Sequence, residues 1–120
     1  DGCIDARVYA GISFSIRGST PDGTTRFYVQ TGETRPEADG GSCPHVNEGD
    51  CVAPWTVLPL TDNWSEHRIA WADLEPGTSN DSPAPATGDN IVGLEWILVG
   101  DYDDIQTLVF AIDDLAFYAQ

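Results

Sequence analysis

Tyr9-Ala-Gly-Ile-Ser-Phe-Ser-Ile-Arg17 alternates without a break. Ile12, Phe14 and Ile16 fall on one phase, and Gly11, Ser13, Ser15 and Arg17 on the other. Successive side chains of a strand point to opposite faces, so this period of two predicts a strand with one buried face. Gly18-Ser-Thr-Pro-Asp-Gly23 follows, and Pro-Asp-Gly is turn chemistry. Thr25-Arg-Phe-Tyr-Val-Gln-Thr31 then alternates again, with Phe27 and Val29 opposite Arg26, Tyr28 and Gln30.

The rest of the chain repeats the theme. Thr34 to Gly49 has loop composition. A short strand is expected around Thr56-Val-Leu-Pro-Leu60 and another over Trp64-Ser-Glu-His-Arg-Ile-Ala-Trp71. Gly77 to Asp89 is rich in Pro, Gly, Ser and acids and is expected as an exposed, mobile loop. Ile91 to Val99 and Leu108 to Tyr118 supply the last two strands, and no segment has helical periodicity. Six short strands at these spacings predict an all-β fold, a β-sandwich or jelly roll of two antiparallel sheets. At 120 residues the chain is expected to be a single domain, 1–120.

Hydrophobic residues make up 41% of the chain, which argues against disorder. The net charge is −15, from 20 acids against five arginines and no lysine. Nucleic acid needs a basic stripe, so it is not an expected partner. An anionic membrane surface is disfavoured for the same reason, and no apolar run is long enough to insert as a helix.

Cys43 and Cys51 flank a short loop-like stretch and are expected to form a local disulfide; Cys3 is left over. A zinc site would need two more ligands, and His45 and His67 are the only histidines. A disulfide implies an oxidising compartment, so the expected location is secreted or extracellular. No signal-peptide pattern is read in these residues, so if the protein is secreted a processed form or fragment is expected.

The order of segments resembles the galactose-binding-like jelly-roll domains that serve as carbohydrate-binding modules in bacterial secreted glycan-active proteins. The pieces that carry the resemblance are Tyr9–Phe14, Gly40-Gly-Ser-Cys43 with Cys51, Leu60-Thr-Asp-Asn-Trp64 leading to Trp71-Ala-Asp-Leu74, Ile91–Trp96 and Ile112-Asp-Asp-Leu-Ala-Phe117. They span nearly the whole chain. The resemblance implies that one or more N-terminal strands are lacking here, to be supplied by a further segment or a neighbouring chain. It also implies a structural calcium held by final-strand acids, which match Asp113 and Asp114. Two adjacent acids inside an apolar strand are costly to bury bare, which fits either a cation or an outward orientation. Of the two, Asp113, on the side opposite Ile112, is the expected ligand. Related modules carry a tryptophan where Ser15 stands and polar or aromatic residues at Ile97 and Ala111. The concave face here is therefore expected to be smoother. The run Asp101-Tyr-Asp-Asp104 reads as a solvated turn.

A glycan site needs flat rings for the apolar faces of sugars and planar polar groups for their hydroxyls. The outward positions supply Arg17, Arg26, Tyr28, Gln30, Arg68 and Glu95, with Arg26, Tyr28 and Gln30 the best stripe. Trp64 and Trp96 fall on apolar phases and are expected in the core, with Trp71 in core or rim. Trp55, beside Pro54, is expected in a loop as an exposed platform. No nucleophile–base dyad or phosphate loop is present, and no catalysis is expected. The leading expectation is a non-catalytic module that attaches a larger secreted protein to a polysaccharide or oligosaccharide. The rival is a structural or adhesive subunit of an extracellular assembly, completed by strand addition from a partner.

Overall fold

The computed structural model describes residues 4–44, 49–98 and 109–119. Nine strands run through them: β1 Tyr9–Ser19, β2 Thr24–Thr31, β3 Cys51–Val52, β4 Trp55–Pro59, β5 Ser65–Ala70, β6 Gly77–Ser79, β7 Ser82–Ala84, β8 Ile91–Ile97 and β9 Val109–Ala119. Among the described residues there is no α-helix, only single 3-10 turns at Glu37–Asp39 and Trp71–Asp73. The strands form three open antiparallel sheets in the orders β5-β1-β9, β4-β2-β8 and β3-β6-β7. No helix among the described residues is long and apolar enough to cross a membrane.

Alternation in β1 and β2 sets the core. Ile12, Phe14 and Ile16 are each at most 1% exposed, and so are Thr25, Phe27 and Val29. The rings of Phe14 and Phe27 lie 5.0 Å apart, and Trp96 of β8 meets Phe14 edge-on at 5.2 Å. The apolar faces of the two larger sheets therefore touch through aromatic side chains. Full burial of one such side chain contributes about 1.5–3 kcal/mol. The β1–β2 turn closes as its chemistry predicts. Gly23 takes φ 71°, and the Asp22 carboxylate accepts the Thr24 N–H at 3.1 Å. That bond holds the Asp22 carboxyl below its ordinary pKa.

The final strand is irregular where its two acids stand. Ser13 pairs with Ala116 and Ser15 with Asp113, so Asp114 and Leu115 together oppose Phe14. This is a β-bulge, with Asp114 at φ 56° and the Asp113 carboxylate accepting the Asp114 N–H at 2.8 Å. Its effect is one of phase. Ile112 and Phe117 are five residues apart and would face opposite ways in a regular strand. With the extra residue they pair with Ile16 and Ile12, on the buried face of β1.

Three expectations change. The stretch from Gly77 to Asp89 is not all loop. Ser79 pairs with Ser82 across Asn80-Asp81, both at positive φ, the geometry of a two-residue I′ hairpin turn. Trp64, expected in the core, is 48% exposed. It precedes β5, and its ring takes the Arg17 guanidinium at 5.2 Å. Ser15, Ile97 and Ala111 do not share one face, because β8 belongs to one sheet and β1 and β9 to another. Trp71 is buried as expected, its indole N–H donating to the Tyr9 carbonyl at 3.0 Å.

Candidate ligand-binding face

The outward side of β4-β2-β8 gathers most of the expected binding residues, because antiparallel register stacks them. Tyr28 pairs with Trp55 on one side and Glu95 on the other. Arg26 pairs with Val57 and Ile97, and Gln30 with Gly93. The Gln30 side-chain amide donates to a Glu95 carboxylate oxygen at 3.0 Å. Arg26 lies over the Trp55 ring at 5.4 Å. Trp55 stands in a strand and not in a loop: it exchanges backbone hydrogen bonds with Glu75, and its ring is half-buried. Arg68 is not part of this group. It projects from β5 in the other sheet, over the Tyr118 ring at 4.4 Å.

A concavity of about 520 Å³ opens over this face, with Tyr28, Gln30, Gly93, Glu95 and Ile97 on its floor. Sites for small ligands typically measure about 300–1,000 Å³. Its wall is the segment that leaves β2. The Thr31 and Thr34 hydroxyls share a hydrogen bond of 2.8 Å, and the Arg35 N–H donates to the Thr31 carbonyl at 3.0 Å. The chain then makes the 3-10 turn, reverses at Gly40 (φ 93°), and returns so that the Cys43 N–H meets the Arg35 carbonyl at 3.0 Å. The expected disulfide joins Cys43 to Cys51, with Cα atoms 6.0 Å apart. It ties the wall to β3, and Cys51, Val52 and Ala53 complete the lining. The bridge points to an oxidising environment.

Arg35 and Asp39 also line the concavity, and sequence reasoning missed both. They sit in a segment without periodicity, so pattern alone could not aim them. The available signal for Arg35 was rarity: the chain has five basic residues in all.

Asp113 and Asp114 are both exposed, and the Asp113 carboxylate is engaged by the bulge. Calcium takes about six to eight oxygen ligands. No group of three or more His, Cys, Asp or Glu that could hold a metal occurs among the described residues. Cys3, His45 and Asp101–Asp104 lie outside the described residues. The chain matches no family model, no curated protein and no solved structure.

Proposed function

We propose that the concave face over β2 binds a glycan, and that the domain is a non-catalytic carbohydrate-binding module of a larger secreted protein. In this reading the two larger sheets are the halves of a sandwich of the galactose-binding-like jelly-roll type. The observation that carries it is the pair Tyr28–Glu95, with Gln30 bonded to Glu95, on the floor of a concavity of sugar size, Trp55 flanking Tyr28 at its margin. The half-buried Tyr28 ring offers apolar surface to the C–H face of a pyranose. The amide and carboxylate, already held by each other, offer fixed donors and acceptors to its hydroxyls. Preorganisation lowers the ordering cost of binding. With few such contacts, affinities on the order of 10–1,000 μM per site are expected.

The test is calorimetric titration with a panel of plant, algal and bacterial oligosaccharides, on the native protein, Tyr28→Ala and Gly93→Phe. A Cβ at Gly93 would find its nearest neighbour, the Gln30 Cβ, at 3.7 Å, so the phenyl ring fills the concavity without backbone strain. At least one glycan should bind the native protein. Tyr28→Ala should weaken it about tenfold and Gly93→Phe should abolish it, with melting temperatures little changed. Binding that survives both substitutions would place the site elsewhere, and a panel with no binder would end the reading.

One observation favours the rival reading, assembly through an edge strand. Among the described residues β9 pairs only with β1, and it exposes Val109, Ile112 and Leu115 by 50%, 37% and 51%. Ile112 stands on the core-facing phase, opposite the fully buried Ile16. A further strand beside β9 would cover it.

A further inference from the structure

We propose that the glycan bound on this face carries a carboxylate, and that Arg35 reads it. The inference rests on the glycan-binding reading and deepens it. Its starting point is how the arginines are used. Arg7 forms a paired contact with Asp5, at 2.7 and 2.8 Å. Arg17, Arg26 and Arg68 lie over the rings of Trp64, Trp55 and Tyr118. The Arg35 guanidinium has no ion pair, ring or side-chain hydrogen bond among the described residues. In a chain with 20 acids, this one half-buried cation is left without an acid.

Its position gives that vacancy a use. One guanidinium nitrogen stands 3.9 Å from where a Gly93 side chain would begin, beside the Gln30 side chain, at the floor of the concavity. Two acids line the concavity: Glu95 is turned to Gln30, and neither it nor Asp39 makes an ion pair with Arg35. The backbone of Arg35 is fixed by bonds to Thr31 and Cys43, and its Cβ and carbonyl lie against Gly41 so closely that any side chain there would collide. The head group is therefore carried on a fixed backbone and Cβ. A planar fork of N–H donors matches a carboxylate with two parallel bonds, and such charge-assisted bonds are stronger than those to hydroxyls. Among sugars, uronic acids carry that group beside ring hydroxyls, which Gln30 and Glu95 can meet. The overall charge of −15 opposes an anion at long range. Salt screens that field over about 8 Å at physiological ionic strength, and the local contact outlasts it.

The experiment titrates the protein with galacturonate, glucuronate and mannuronate–guluronate oligosaccharides, each beside its carboxyl-reduced counterpart. Arg35→Ala is the variant, since it keeps the backbone and the Cβ that packs under Gly41. At least one uronate should bind about tenfold or more tighter than its reduced form. Arg35→Ala should erase that difference, weakening the uronate about tenfold more than the reduced form. If the neutral forms bind as well as the acidic ones, the carboxylate is not read. If Arg35→Ala weakens both alike, Arg35 serves hydroxyls; either result overturns the proposal and leaves glycan binding standing. If no uronate and no neutral sugar binds, both readings fall together.

Discussion

His67 carries a proton prediction at the scale of one side chain. Its ring faces inward from β5 and lies 6.2 Å from that of Phe14, and its Nε2 is buried without a hydrogen-bond partner. Loss of hydration disfavours the imidazolium, so burial lowers its pKa below the usual histidine range. Above about pH 6.5 the side chain is neutral folded or unfolded, and its contribution to stability is full. As pH falls through that value toward the lowered folded pKa, the unfolded chain takes up the proton first and stability is lost. Melting temperature should therefore drop between pH 7 and 5 more in the native protein than in His67→Gln. Comparing the two cancels the titration of the many carboxylates, and equal drops would refute the assignment. Asp5 acts in a lower window. Hydrogen bonds from Arg7 bring its pKa to about 2, so its contribution is lost only as pH falls below the ordinary aspartate range. At this scale the sequence showed that Tyr28, Gln30 and Glu95 face outward. It did not show that Glu95 and Trp55 flank Tyr28, since that depends on register between strands far apart in the chain.

The disulfide is the element-scale lever, because it closes an eight-residue loop that forms part of the wall. Chain-entropy reasoning assigns such a loop about 2.5 kcal/mol. Cys43→Ser with Cys51→Ser should lower the denaturation free energy by roughly that amount in urea unfolding, and should loosen the wall that positions Arg35. An unchanged midpoint would mean that Arg35, Cys43 and Gly41 hold the turn through their backbone bonds alone. Strands β1 and β2 were legible because each buries one face, which writes a period of two into the residues. The bulge in β9 was not. Its two acids read as a ligand pair, whereas one is an extra residue and the other bonds its N–H. The short β3, β6 and β7 were likewise hidden, being too brief to show any period. The turn Asn80-Asp81 was the one cue that Gly77 to Asp89 folds back on itself.

At the scale of the whole molecule, the β9 edge is the surface available for association, with Val109, Ile112 and Leu115 exposed on it. If it associates in solution, light scattering should give a mass above 12.9 kDa at high concentration, and Ile112→Lys with Leu115→Lys should return it to the monomer. A native protein that stays monomeric near 100 μM would remove self-association through this edge and leave glycan binding unaffected. What the sequence determined by itself is the all-β class, the buried faces of β1 and β2, the local disulfide and the strongly acidic surface. Each is written in neighbouring residues: alternation, turn chemistry, cysteine spacing and charge count. Only the tertiary structure decided which outward residues meet. It joined Arg26, Tyr28, Gln30, Trp55 and Glu95, sent Arg68 to the other sheet, and swung Arg35 over Gly93. Strand order and register arise from packing between segments tens of residues apart, and no local pattern encodes them.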